Sequence, residues 1–173
     1  MSLFRPASQL MVQYAQYHRS RRNIATHCVG IPLIVLSIGV LLQGPTWLWA
    51  GLPVTLAWAL WGLTSLWYLS RGHALLGLST VLVNGALIGL AHALPEWVGG
   101  WGWPVWQLGL AVFALGWFLQ FVGHYFEGRK PAFVDDLSGL LVGPMFVVGE
   151  VLMRMGLLQR MRMDIERQAG VTR

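Results

Sequence analysis

Residues 23–42 read NIATHCVGIPLIVLSIGVLL, and they open a stretch, 23–70, that holds no charged side chain. Spanning the hydrocarbon core of a bilayer takes about 20 predominantly apolar residues, so this stretch has room for two spans. Gln43-Gly44-Pro45-Thr46 supplies the turn chemistry and the helix stop between them. Two more charge-free stretches follow, 72–95 and 97–126, each able to cross once, the latter after the loop Gly99-Gly100-Trp101-Gly102-Trp103-Pro104. The expected spans are about 24–43, 47–69, 73–94 and 104–126. A fifth run, Leu137 to Gly149, contains Gly143-Pro144 and is too short to cross alone. It is expected to dip into the membrane or to lie along its surface.

Composition agrees with this reading. Of 173 residues 55% are hydrophobic and 11% charged, and the mean hydropathy is +0.57. A soluble domain carries about 25% charged residues on its surface, so a soluble domain, a disordered chain and a coiled coil are all excluded. One cysteine, Cys28, excludes a disulfide scaffold.

Orientation follows from the basic residues. Arg5, Arg19, Arg21 and Arg22 precede the first span, Arg71 follows the second, and Arg129 and Lys130 follow the fourth, while the remaining loops offer only Glu96. Both termini are therefore expected in the cytoplasm, with four crossings, because a fifth would export Arg154, Arg160, Arg162, Arg167 and Arg173. Residues 151–168 interleave these arginines with Leu157, Leu158, Met161 and Ile165, the pattern of either an amphipathic helix on the inner surface or a solvated tail. The expected fold is all-α, an integral membrane helical bundle formed by 1–173 as a single domain. It has four transmembrane helices, a short re-entrant or interfacial helix and an amphipathic C-terminal helix, the last two within 137–168. The first 23 residues are polar and unlike a cleavable signal, so an inner-membrane protein is expected. The net charge of +5 suits anionic headgroups and is not read as a nucleic-acid footprint. Trp47, Trp49, Trp97, Trp101, Trp103 and Trp106 fall at the outer ends of the spans, where an aromatic belt belongs.

The histidines carry the functional signal. His18 and His27 flank the inner end of the first span, His73 opens the third and His124 closes the fourth, so four of the five share the cytoplasmic side. His92 is expected at the outer end, about 30 Å away across the core. Imidazole is the commonest protein metal ligand, and convergence from three helices suggests a metal centre. Taken singly, each histidine is equally readable as a hydrogen-bonded interfacial side chain. In Gly123-His124-Tyr125-Phe126-Glu127 the imidazole and the carboxylate are three apart, on one helical face. Histidines plus a carboxylate with open coordination positions suit non-haem Fe(II) oxygenases; Glu127 is also placed to pair with Arg129 or Lys130. His18 and His27 are nine apart, two and a half helical turns, which points them to opposite faces. They converge only if the chain bends near Ser20 to Asn23.

These residues resemble a known family. Tyr17-His18, Asn23, His27, Gly30 and Pro32 are similar to the opening motif of the Fe(II)-dependent 2-hydroxy fatty acid dioxygenases, the membrane family whose fungal member serves phytosphingosine degradation to odd-numbered fatty acids. Gln120-Phe121-Val122-Gly123-His124, Glu127, Gly128, Lys130-Pro131-Ala132, Asp136-Leu137 and Gly143-Pro144 resemble its second block. The resemblance implies an enzyme that uses Fe(II) and dioxygen to shorten a 2-hydroxy fatty acid by one carbon, releasing carbon dioxide. It implies His18, His27 and His124 as metal ligands, with His73 a fourth by geometry rather than by motif, and Glu127 as a catalytic residue. Arg21, Arg22, Asn23, Arg129 and Lys130 are the candidate substrate-binding residues at the headgroup level, and the arginines and lysine are equally explained as topogenic charges. Asp135 and Asp136 either orient a histidine or cap a helix starting at Leu137. The alternative function is a non-catalytic membrane scaffold or lipid-binding protein that needs no metal. A haem protein fits less well, because the histidines sit at helix ends, and no Gly-rich phosphate loop or Gly-x-Ser-x-Gly elbow is found.

Overall fold

The computed structural model describes residues 4–98, 104–131, 134 and 136–173. It is helical apart from one small hairpin. The order is α1 (Ala7–Ala15), α2 (Arg21–Leu41), β1 (Trp47–Trp49), β2 (Leu52–Val54), α3 (Leu56–Leu69), α4 (Ala74–Val98), α5 (Val105–Glu127), α6 (Gly139–Arg154) and α7 (Gln159–Ala169). Among the described residues, three helices are long and apolar enough to cross a membrane by themselves: Arg21–Leu41, Ala74–Trp97 and Val105–Glu127. A fourth crossing is available if α6 and α7, bent by 114°, count as one broken span.

The stretch expected as a second span, 47–69, differs. Pro45 and Pro53 leave too few residues between them for a helix and remove the backbone donors one would need. The segment instead turns back on itself as β1 paired antiparallel with β2, Trp47 opposite Val54. Ala50 (φ 51°) and Gly51 (φ 80°) form the two-residue turn, both left-handed as the hairpin twist demands. Thr55 then starts α3, its hydroxyl accepting from the Trp58 N–H. The 14 residues of α3 span about 21 Å at 1.5 Å per residue, short of the roughly 30 Å hydrocarbon thickness.

The seam between α2 and α5 is set by glycine. Gly109, Gly116 and Gly123 recur every seven residues on α5, nearly two turns, and so line one face. A Cβ at Gly116 would lie 2.9 Å from the Gly30 carbonyl oxygen, and one at Gly109 would lie 3.0 Å from Val40. At Gly123 it would overlap the Thr26 hydroxyl and the Asn23 side-chain oxygen. Lipid offers no hydrophobic drive between helices, so close backbone approach through small residues is what holds such a pair together. The two helices run antiparallel, with His27 beside His124 at one end and Val40 beside Gly109 at the other.

A second layer covers the histidine end. Helix α1, which the polar reading of residues 1–23 did not foresee, buries Leu10, Met11 and Tyr14 against Met145 and Phe146 of α6. Helix α7 is amphipathic as expected: Met161 and Ile165, four apart, are buried in the same core while Arg160, Arg162 and Arg167 are exposed. Its apolar stripe therefore rests on protein rather than on lipid. Asp136 accepts from the Ser138 N–H at 2.9 Å, an Asx turn ahead of α6, whose N-cap is Ser138; Asp135 lies outside the described residues. Trp47, Trp97 and Trp106 are exposed at the end of the bundle away from the histidines, as a belt requires, whereas Trp101 and Trp103 lie outside the described residues.

Gly116→Val is expected to destabilise the protein by about 1–3 kcal/mol, the cost of overpacking a tight contact. Thermal unfolding of the detergent-solubilised protein checks this; Gly89→Val, at a site with open space around it, is the control.

Candidate metal centre

The turn between α1 and α2 brings the two N-terminal histidines together. The required bend falls at Gln16–Ser20, just before the expected position, where α1 has ended and α2 has not begun. Glu127, at the last residue of α5, holds it. Its carboxylate accepts from the Arg19 N–H at 3.0 Å, the Ser20 N–H at 2.8 Å and the Asn23 amide at 3.0 Å. The two backbone N–H groups lie just ahead of α2, where the helix dipole also favours a negative group. The C-terminal residues add a short extended strap: Arg21 N–H donates to the Arg173 carbonyl and Arg173 N–H to the Arg19 carbonyl, both at 2.7 Å. Arg19 is itself buried, its guanidinium donating to the carbonyls of Ala15, His18 and Gly170.

Among the described residues, His18, His27 and His124 form a group of possible metal ligands, with one ring nitrogen from each within 4.8 Å of the others. They are 0%, 2% and 6% exposed. His18 Nδ1 lies 2.7 Å from the Tyr14 carbonyl oxygen and His27 Nδ1 lies 2.9 Å from that of Asn23. A carbonyl oxygen only accepts, so both Nδ1 atoms carry the proton. Burial, and after it the nearness of His27, hold the His18 imidazole well below its ordinary pKa, against its bond to the Tyr14 carbonyl. With His18 neutral, its Nε2 presents a bare lone pair, and that atom faces His27 Nε2 at 3.1 Å.

Two lone pairs at that distance repel, and a cation between them removes the repulsion. Two nitrogens bound to one ion at about 2.1 Å and at right angles are roughly 3.0 Å apart, close to what is seen. The third ring supplies His124 Nδ1, which is buried without a hydrogen-bond partner. Each of the first two ligands is oriented by a backbone carbonyl on its other nitrogen, the usual outer support of a metal-bound histidine. The residues fit a metal ion. A set of three neutral imidazoles accepts iron, and also zinc, copper or nickel.

The remaining expected residues are placed as follows. His73 is not brought to the group; its Nδ1 accepts from the Leu76 N–H at 3.3 Å and caps α4, whose inner end leans on α3 and α6 rather than on α5. His92 stays apart as expected, bonded to the Thr55 hydroxyl and the Ile88 carbonyl and stacked on Trp58. The carboxylate of Glu127 faces the turn rather than the three rings. Asn23 is fully buried, its amide shared between the Tyr17 carbonyl and Glu127. Arg21, Arg22, Arg129 and Lys130 are exposed; the Arg22 guanidinium lies over Phe126 and Arg129 donates to the Gln16 carbonyl.

Two contributors, Tyr14 and Phe146, were not singled out from sequence, and Gln120 was read only as part of the second block. Tyr14 stacks flat on His18 with ring centroids 4.1 Å apart, Phe146 packs against both rings, and Gln120 is buried one turn from His124. Tyr14 and His18 are four apart, a helical neighbour spacing that the sequence displays. Together with His27 and His124, Tyr14 and Gln120 line a cavity of about 250 Å³ that continues between α2, α5 and α6.

Glu127→Ala is expected to weaken metal binding about ten- to a hundredfold, the usual effect of removing an outer support, with Glu127→Gln less affected. Titration of metal-free protein with Fe(II) or Co(II) measures this, and wild-type affinity in Glu127→Ala would show that the clamp does not position the histidines.

Two comparisons with known proteins bear on the chain's family. A family model described as 2-hydroxy-palmitic acid dioxygenase Mpo1-like matches residues 4–155. A relative from Saccharomyces cerevisiae (strain ATCC 204508 / S288c), named 2-hydroxy-palmitic acid dioxygenase MPO1, is 30% identical over 156 residues, covering 88% of this chain and 83% of its own. No solved structure matches the chain. On the extent of the first match and the identity of the second, the chain belongs to the Mpo1-like family of 2-hydroxy-palmitic acid dioxygenases.

Proposed function

We propose that the protein is an Fe(II)-dependent dioxygenase that shortens 2-hydroxy fatty acids by one carbon at the cytoplasmic face of the membrane. The reading is carried by one observation: three buried histidine rings whose unprotonated or unpartnered nitrogens converge at the mouth of an apolar cavity. The name of the yeast relative supplies the substrate class. In the overall reaction a 2-hydroxy acid and one dioxygen give the shortened acid, carbon dioxide and water. The bond between the carboxyl and α carbons breaks, and the four electrons the substrate loses are those dioxygen accepts, so no other reductant is required. Iron held by His18, His27 and His124 supplies the activation of dioxygen.

The protein's own residues do the rest. The carbonyls of Tyr14 and Asn23 keep the protons of His18 and His27 on Nδ1, leaving Nε2 for the metal. Glu127 acts as a positioning residue: by holding the Arg19 and Ser20 N–H groups and Asn23 it sets the angle at which His18 meets His27. Asn23 belongs to the same clamp. Phe146 and Tyr14 close the far side of His18 and exclude water. Arg21, Arg22, Arg129 and Lys130 form a basic rim at this end, which draws an anionic headgroup to the surface from which the site is reached. The same rim, under the positive-inside rule, supports a cytoplasmic location for the site and both termini.

Anaerobically purified protein is expected to carry near-stoichiometric iron by elemental mass spectrometry and to release carbon dioxide from 2-hydroxypalmitic acid in air. His18→Ala and His124→Ala are expected to lose the iron and at least a hundredfold in turnover, while His92→Gln keeps both. Folded wild-type protein that binds no iron after reconstitution would replace this reading with that of a lipid-binding scaffold.

A further inference from the structure

The cavity at the histidines is the head of a groove. It is lined at one end by His27 and His124 and at the other by Ile38 and Phe113. The same number of residues separates each pair on the two antiparallel helices, about 16 Å at 1.5 Å per residue. That is close to half of the roughly 30 Å hydrocarbon thickness, the depth of one leaflet and so the length of one membrane acyl chain. Apart from the histidines, the polar lining is confined to the head: Tyr14 lies against His18, and Gln120 sits one turn from His124. Beyond them the walls are aliphatic and aromatic, and at Gly143 of α6 a Cβ would come within 3.1 Å of Ile31 and narrow the groove.

Chain length in such a groove has to be read sterically. A fatty acid reaching it from the bilayer leaves surroundings as apolar as the groove, so the gain that drives each CH₂ out of water is absent. Discrimination then depends on what the methyl end meets. A larger cavity, about 490 Å³, lies between the α1–α2 turn, α6 and α7, but Arg19, Arg21, Glu150, Arg154 and Arg162 line it, a poor surface for an alkyl chain.

We propose that the groove between α2, α5 and α6 holds the acyl chain of the substrate parallel to the membrane lipids, with Ile38 and Phe113 as the stop that sets its length. This rests on the dioxygenase reading above for the identity of the substrate. The carboxyl and hydroxyl lie at His27 and His124, and the methyl end points toward the bilayer centre.

The test gives iron-loaded full-length protein in nanodiscs a competing mixture of 2-hydroxyoctanoic, 2-hydroxyhexadecanoic and 2-hydroxytetracosanoic acids. Ile38→Trp is expected to lower turnover of the hexadecanoic relative to the octanoic acid at least tenfold. Phe113→Ala is expected to raise that of the tetracosanoic relative to the hexadecanoic acid severalfold, a change in the opposite direction that a folding defect does not produce. Unaltered ratios in both variants, with the wild type active, overturn the stop. Independently of turnover, 2-hydroxyhexadecanoic acid carrying a photoreactive diazirine at its methyl end is expected to label the peptides containing Ile38 and Phe113. Labelling of α3 or of the polar cavity overturns the groove. If the wild type turns over none of the three acids yet is labelled at Ile38 and Phe113, the groove stands and the dioxygenase reading fails.

Discussion

Everything in this protein depends on how closely α5 can approach α2. Within lipid the approach gains nothing from the hydrophobic effect, and it is held by dispersion between surfaces that nearly touch. Gly109, Gly116 and Gly123 provide that surface, and the last of them stands beside Asn23, Thr26 and His27. A side chain at 123 would push His124 away from His27, and Glu127 away from the turn it holds. The seam that makes the pair of helices also makes the candidate metal site.

The polar groups at that end form one connected arrangement rather than a set of separate contacts. Burying a carboxylate costs several kcal/mol unless donors replace its water, and Glu127 has two backbone N–H groups and the Asn23 amide. Asn23 in turn offers its carbonyl to His27. Arg19, buried next to the carboxylate that holds its own N–H, spends its guanidinium on backbone carbonyls of α1, the turn and the C-terminal strap. Chain segments far apart in sequence are therefore tied at the histidine end of the bundle, where the proposed substrate would place its carboxylate. The apolar groove starts where this polar arrangement stops, so the head and tail of such a substrate meet matching surroundings without leaving the bilayer.

Much of this was legible in the chain because the relevant signals are local. Charge-free length announces helices that cross, and the run at 105–127 is found where it was expected. Histidines three helices apart could be assigned to one end because helix polarity alternates from span to span. The second span was legible only in part, because composition does not register what Pro45, Pro53 and the left-handed Ala50-Gly51 pair do to a backbone, and a hairpin stands where its first third was expected to be helix. Helix α1 was missed since its apolar positions are diluted by glutamines and serine, and its burial against α6 is a tertiary fact. His73 shared the correct end of the bundle but not the correct neighbours, and Glu127 had the correct spacing but turned its carboxylate to a helix terminus instead.

The sequence by itself determined an all-helical membrane protein, the end at which its histidines gather, and the family it resembles, because length, charge placement and short motifs act within a few turns of helix. Only the tertiary structure decided which three histidines meet, which nitrogen each presents, and what the acidic residue beside them does. Those outcomes depend on distances between segments separated by about a hundred residues of chain: His18 and His27 meet across a turn whose backbone N–H groups donate to Glu127, on the far side of the sequence. No local propensity encodes that contact; the packing of α5 on α2 does.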